Sequence, residues 1–309
     1  MNILVLTNSD ILSGPTLKYL LETNQLGGVG FVQSSERQVL PMLEGLGLGS
    51  DHTLSLKRED WVKVMTRFIE ERQIQSVWVL TFPWIIPSKL LEISDLTFVN
   101  FHFGLLPKYK GADPIFWQLK NREQEGGVTI HLMSEQVDEG PILLQKKLRI
   151  IPGENYGLHC KRLGETNKEY LDELFEKLNE KDQSFLTLES EEALFDRKPS
   201  EQDLSINWSQ QSAEEIEWLV NAANPKYQGA RTSIAGIEIR ILEVTPVNME
   251  QSVEANPGQI VHADVVYGIV VACRDQEYLR ITVVQTSEGY LSGVKLFNLG
   301  FLAGHSFAD

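Results

Sequence analysis

Three side chains in this sequence have the types and spacing to do chemistry together: Asn100, His102 and Asp138. Asn100 and His102 stand two residues apart at the end of an apolar run over 97–103, so in a strand both point to one face. Asp138 falls in the turn-rich stretch SEQVDEGPILLQ (134–145), just after a second apolar run at 126–133. An amide, an imidazole and a carboxylate in one crevice can position a nucleophile, hold a charged intermediate and move a proton. An Asn and a His that finish a strand also commonly do no more than satisfy loop carbonyls; the carboxylate downstream favours the chemical reading. The remaining histidines, His52, His131, His159, His262 and His305, have no such company and read as structural or surface residues.

These side chains need a frame. Short apolar runs at 2–8, 28–33, 76–82 and 97–103, and a short polar one at 51–56, alternate with helical stretches at 13–24, 36–46 and 58–72 and a further short helix. Such alternation predicts a parallel sheet covered on both faces, a Rossmann-like α/β layout. Ligands of an open parallel sheet gather at the carboxyl ends of its strands, where Asn100 and His102 lie. After residue 103 the pattern predicts a helix near 113–121, two strands at 126–133 and 140–150 that pair in antiparallel or mixed fashion, and one long helix over 155–179. The charged, poorly periodic stretch 180–201 reads as a linker with at most one short strand. Beyond it, Ser209 or Ser212 can cap a helix carrying Ile216, Leu219 and Val220 on one face, which Pro225 stops. Short strands from 230 onward then suggest a small closed barrel of the OB type. The expected partition is 1–180, a linker over 181–202, and 203–309.

Bulk properties narrow the partners. At 309 residues, 42% hydrophobic and 23% charged, the chain can bury one large core or two ordinary ones. Its formal charge of −15 opposes long-range attraction to polyanions. Cys160 and Cys273 match no metal or disulfide spacing and read as two small buried hydrophobes, which fits a reducing cytoplasm. The start of the sequence has neither a basic leader nor an apolar span, so no membrane is expected and a cytoplasmic place is.

Asn100-Phe-His102, the GLLPKYKGADPIFW loop (104–117), GGVTIHLM and VDEGPILLQ, in this order, resemble the signature of the formyltransferases that use 10-formyltetrahydrofolate. INWSQQSAEEIEWLVNAANP and the strands after it extend the resemblance to the C-terminal domain of the methionyl-tRNA and amino-sugar members, so nearly the whole chain is covered. The resemblance implies that an amine attacks the formyl carbon of the folate and that a tetrahedral oxyanion forms. It gives Asn100 a hydrogen bond to that oxyanion, with His102 assisting, and has Asp138 orient the imidazole and take part in moving the proton. It calls for no metal. It also places the loop after 76–82 against the pteridine, which implies Phe82, Trp84, Ile85 and Ile86 as the donor contacts; a Pro-flanked apolar turn could equally cap the core.

The acceptor is where this chain departs from the family pattern. The family loop usually opens Ser-Leu-Leu-Pro with an Arg before the Gly, whereas here Gly104 precedes Leu105, and Lys108, Lys110 and Asp113 complete the substrate loop. The basic, Gly-rich insertion usual in methionyl-tRNA formyltransferases has no counterpart in 32–49, and residues 200–309 hold six Lys or Arg against fourteen Asp or Glu, a net of −8. The expectation is therefore an N-formyltransferase for a small-molecule amine, such as an amino-sugar nucleotide or a biosynthetic intermediate. Methionyl-tRNA is the alternative acceptor. A hydrolase of the same donor and a non-catalytic folate-binding module stand further back.

Overall fold

The apolar run at the amino terminus becomes β1 (Ile3–Leu6), every residue of which is buried. The computed structural model describes residues 1–180, 185–186, 195–250 and 253–309, and these fall into two compact units. The first comprises Met1–Pro114, Glu125–Arg149 and Cys160–Asp196. In it α1 (Asp10–Glu22), β2 (Leu26–Val32), α2 (Glu36–Gly45), β3 (Thr53–Leu56), α3 (Trp61–Arg72), β4 (Ser76–Val79), α4 (Ser88–Leu91) and β5 (Thr97–His102) alternate as expected. A two-residue strand, β6 (Lys110–Gly111), follows, then α5 (Pro114–Lys120), which beyond its first residue belongs to the second unit, and then β7 (Glu125–Leu132) and β8 (Ile142–Arg149). The sheet runs β3-β2-β1-β4-β5-β7-β8. Its first five strands are parallel, while β7 runs antiparallel to both β5 and β8. This is the expected Rossmann-like layout, carrying an antiparallel edge.

The expected single helix over 155–179 is instead two, α6 (Tyr156–Lys168) and α7 (Leu171–Asn179). The break follows Thr166 and Asn167, both poor helix formers. Asn167 is fully buried, and its Nδ2 donates to Thr16 Oγ1 at 3.3 Å. A side chain held inward by α1 fixes the chain there, and the backbone turns with Tyr170 N–H on the Asn167 carbonyl. The linker expected over 181–202 lies partly outside the described residues. Of the rest, Leu186 bridges to Ile142, and β9 (Phe195–Asp196) pairs in parallel with Lys110–Gly111.

The second unit comprises Ile115–Gln124, Ile150–His159 and Arg197–Asp309. Of the two candidate caps, Ser212 starts α8 (Ala213–Ala223). Its Oγ accepts from Glu215 N–H at 3.1 Å, and Glu215 Oε2 accepts from Ser212 N–H at 2.8 Å. Ser209 binds Asp309 instead. The strands β10 (Ala230–Ile234), β11 (Ile237–Val247), β12 (Ile260–Asp264), β13 (Gly268–Ala272), β14 (Tyr278–Thr286) and β15 (Gly289–Ser292) follow, then α9 (Gly293–Asn298) and β16 (Phe307–Ala308). They form one curled antiparallel sheet in the order β12-β13-β14-β11-β10-β16, with β15 on β14. Bonds from Phe307 N–H to the Gly258 carbonyl and from Ile260 N–H to the His305 carbonyl, both 2.8 Å, draw its two edges together into a half-barrel. Asp203 anchors the lead-in to this unit. Burial alone would raise its carboxyl, but donors from Arg197 and Ser200 outweigh it and hold the group at about 2.

Candidate active site

The parallel strands β4 and β5 end side by side, and Val79 is the register partner of Asn100. Along β5 the side chains alternate. Phe101 turns to the face where it packs on Trp78, 5.3 Å between rings, so Asn100 and His102 share the other face. On its second side β5 pairs with β7, and His131 stands directly opposite Asn100. The chain then turns through Asp138, whose φ of +57° is left-handed, a conformation Asp tolerates better than most residues. Gly140 follows, passing against the end of β7.

Asp138 is the hub of the cluster. Its Oδ1 accepts from Asn100 Nδ2 at 3.2 Å and lies 3.4 Å from His131 Nε2. Its Oδ2 accepts from Gly111 N–H at 2.8 Å and lies 3.4 Å from His102 Nδ1. Burial disfavours the Asp138 carboxylate, yet the hydrogen bond from His131, attraction to the His102 ring when that ring is protonated, and the Gly111 amide outweigh it, and the net shift is downward. His102 is 5% exposed and moves the other way for an imidazole beside a carboxylate: burial lowers its pKa more than Asp138 and the Tyr109 carbonyl raise it. The neutral ring carries its proton on Nε2, which donates to the Tyr109 carbonyl at 2.7 Å. Nδ1 therefore keeps its lone pair on the side of Asp138.

The sequence reading left out His131. It is 2% exposed, and its Nε2 sits 3.1 Å from Asn100 Nδ2. Local alternation carries no trace of this contact; only the pairing of β5 with β7 creates it. Among the described residues no group of three or more His, Cys, Asp or Glu is arranged to hold a metal ion, and no helix is long and apolar enough to cross a membrane.

Sequence comparison places this cluster in a known context. The formyl transferase domain profile matches residues 52–174, and that of the formyl transferase C-terminal domain matches 198–301. The methionyl-tRNA formyltransferase of Nitrosospira multiformis is 32% identical over 228 residues, 74% of this chain and 70% of that protein. The chain belongs to the formyl transferase family. Members of this family are transferases that catalyse formyl transfer and use formyl-tetrahydrofolate. The methionyl-tRNA formyltransferase of Thermotoga maritima is 32% identical over 202 residues, 65% of this chain, and the match spans 63% of that protein's length. Among solved structures, a variant of HypX from Aquifex aeolicus superposes with a TM-score of 0.70 at 17% identity, covering 97% of this chain and 47% of that one. The N-formyltransferase of Helicobacter canadensis, solved with folinic acid and dTDP-3-aminofucose, gives 0.64 at 18% identity, covering 91% and 98%. At such identities the likeness is one of fold.

In this chain the loop after β4 splits by exposure. Ile86 belongs to the core, 4% exposed, whereas Ile85 is 75% exposed. Phe82 and Trp84 are half-buried, packed edge-to-face against one another and tilted on Trp61, with ring centroids 5.3 to 5.5 Å apart. The backbone N–H groups of Phe82, Trp84, Ile85 and Ile86 donate to no described residue. The loop after β5 is held from below. Thr129 Oγ1 donates to the Gly104 carbonyl at 2.6 Å, and Gln145 Nε2 donates to the Leu106 carbonyl at 2.8 Å. A Cβ on Gly104 would lie 2.8 Å from both His102 Nε2 and Pro114 Cβ, which accounts for glycine where the family usually has serine. Leu105 and Asp113 are half-buried, and Lys108 is exposed. Lys110 is matched by Glu139, in the turn between β7 and β8, at 3.0 Å, so its charge is already answered.

Proposed function

We propose that this chain transfers a formyl group from 10-formyltetrahydrofolate to the primary amine of a small-molecule acceptor. The observation that carries the reading is the buried cluster in which one carboxylate, Asp138, holds Asn100 and His102 at the carboxyl end of β5. Bound 10-formyltetrahydrofolate supplies an activated formyl group, whose bond to the folate nitrogen breaks as the new amide bond forms. The amine loses one proton in the exchange and the folate nitrogen gains one. His102 and Asp138 are the groups placed to carry that proton, with Asp138 keeping the imidazole oriented. Phe82, Trp84 and Ile85 suit a flat aromatic ligand: two half-buried rings, an exposed apolar side chain and free backbone donors lie together. Ile86 supports them from the core.

Ile85 offers a clean test of the donor contact because it contributes little to the core. Ile85→Ser is expected to weaken a non-reactive folate analogue by about 1 to 2 kcal/mol in calorimetry, with the thermal midpoint unchanged. Unchanged affinity would put the folate elsewhere.

For the acceptor, the small-molecule reading is supported by the net charge of −8 over residues 200–309 and by Lys110 being paired. The names of the sequence relatives support methionyl-tRNA as the second reading. The two part on salt, since log–log binding slopes grow by roughly 0.7 to 0.9 per phosphate contacted. The protein, formyl-labelled donor and either the small-molecule fraction of a cell extract or methionyl-tRNA should give labelled product from the extract, at a rate nearly independent of salt. Submicromolar, steeply salt-dependent capture of the tRNA, with its formylation, would establish the second reading.

A further inference from the structure

A groove of about 550 Å³ lies between α3 and α4, wholly within the first unit. Its floor is apolar, formed by Val62 and Ile69 of α3 and Leu90 of α4. Its charged lining is mostly positive: Lys63, Arg67 and Lys89 against Glu70. That is a local excess of cations on a chain whose formal charge is −15. All three cations are exposed. Arg67 lies 3.7 Å from Glu71 with both side chains in water, a contact worth little at the surface. Lys63 and Lys89 pair with no carboxylate among the described residues.

The groove adjoins the loop after β4. Val62 packs on the same apolar cluster as Phe82 and Trp84, and Trp61, the residue before it, carries both of those rings. Lys63 and Arg67 stand one turn apart on α3, a rise of about 6 Å, and so share one stripe of the helix. Glu70, three residues further along, ends the row with the opposite charge.

We infer that this groove holds the γ-glutamyl tail of the folate donor. The inference rests on the donor reading above, in which the folate ring lies against Phe82, Trp84 and Ile85. The glutamate end of a folate lies opposite its pteridine, and each γ-linked residue added there brings an amide, two methylenes and one carboxylate. The methylenes suit the apolar floor, and the carboxylates suit the cations along its rim. The spacing of Lys63 and Arg67 is close to one extended γ-glutamyl unit, so successive carboxylates meet successive cations. The acidic remainder of the chain repels such a polyanion, which confines the tail to this face.

The test measures the affinity of the full-length protein, by calorimetry, for 5-formyltetrahydrofolate as the monoglutamate and as the γ-linked pentaglutamate. The longer form is expected to bind about tenfold tighter at low salt, the combined effect of a few exposed ion contacts, and the advantage should shrink to within about twofold near 1 M salt. Lys63→Glu together with Lys89→Glu should abolish the advantage and leave the monoglutamate within about twofold of its parental affinity. Lys18→Glu together with Lys161→Glu is the control. These exposed lysines of α1 and α6 do not line the groove, so the same change in net charge should leave most of the advantage in place. An advantage untouched by the Lys63 and Lys89 reversals would overturn the inference, as would one lost equally in the control, which would assign it to net charge. If the parent binds both forms equally, the tail lies outside the groove and the donor reading stands. If the parent binds neither form, the donor reading itself fails and the inference falls with it.

Discussion

His102→Ala and Asp138→Asn should each lower turnover by at least about a hundredfold while the chain still folds, the loss expected when a group acting in the transition state is removed. Asp138→Asn shows why. A carboxylate accepts from Asn100, Gly111 and His131 and faces His102 Nδ1, all within 2.8 to 3.4 Å. An amide in its place offers one oxygen, and its NH2 must then face either the Gly111 N–H or Asn100 Nδ2, donor against donor. His102→Ala removes the ring and its hydrogen bond to the Tyr109 carbonyl, yet it touches none of the sheet pairing. Circular dichroism should show both variants folded, and near-parental turnover in either would remove the cluster from the chemistry.

The pH dependence of the parent follows from the same two groups. The folded-state pKa of His102 is depressed below 6.5, so as pH falls the unfolded chain takes up that proton first, and the stability linked to the neutral ring is lost. The pKa of Asp138 is depressed below 3.8, and its contribution is present above that value and lost as pH falls through the folded pKa. The groups facing His102 are Asp138, His131 and the Tyr109 carbonyl, and the balance among them sets the shift. Acid should therefore lower the thermal midpoint in two stages, the first below pH 6.5 and the second below 3.8. His102→Ala should abolish the first stage alone.

Gly140→Ala is expected to damage activity about as severely, although the residue carries no chemistry. A Cβ there would lie 1.7 Å from the Leu132 carbonyl oxygen and 3.3 Å from His131 Nδ1. The nearest atoms are backbone, so no rotamer change relieves the contact. Either the end of β7 or the turn bearing Asp138 must move. Leu132 N–H donates to the Pro141 carbonyl at 2.9 Å, so the two are tied and the strain falls on the turn. A displacement of about 1 Å costs on the order of a hundredfold in rate, and the thermal midpoint should drop as well. Gly45→Ala, where nothing lies within 4 Å of the added carbon, is the control and should leave both unchanged. Parental kinetics for Gly140→Ala would mean that the turn adjusts freely and does not set the position of Asp138.

Much of this was legible before folding. Strand and helix periods are properties of neighbouring residues, so the alternation through residue 103, the shared face of Asn100 and His102, and the turn at Asp138 all follow from the sequence. The capped helix after Ser212 and the run of short strands beyond 230 are equally local. Other features depend on distant partners. The break between α6 and α7 comes from Thr16 holding Asn167, residues 151 apart. The division of the loop after β4 into a buried Ile86 and an exposed Ile85 depends on how Trp61 packs beneath it. His131 shows the limit most plainly. It reads as one more residue of an apolar strand until β7 pairs with β5, because strand register is set by pairing across the sheet and leaves no mark on the residues beside it. Asn100, His102 and Asp138 could be named from the sequence alone, whereas the atoms each has left to offer were decided only when the tertiary fold assigned their hydrogen bonds.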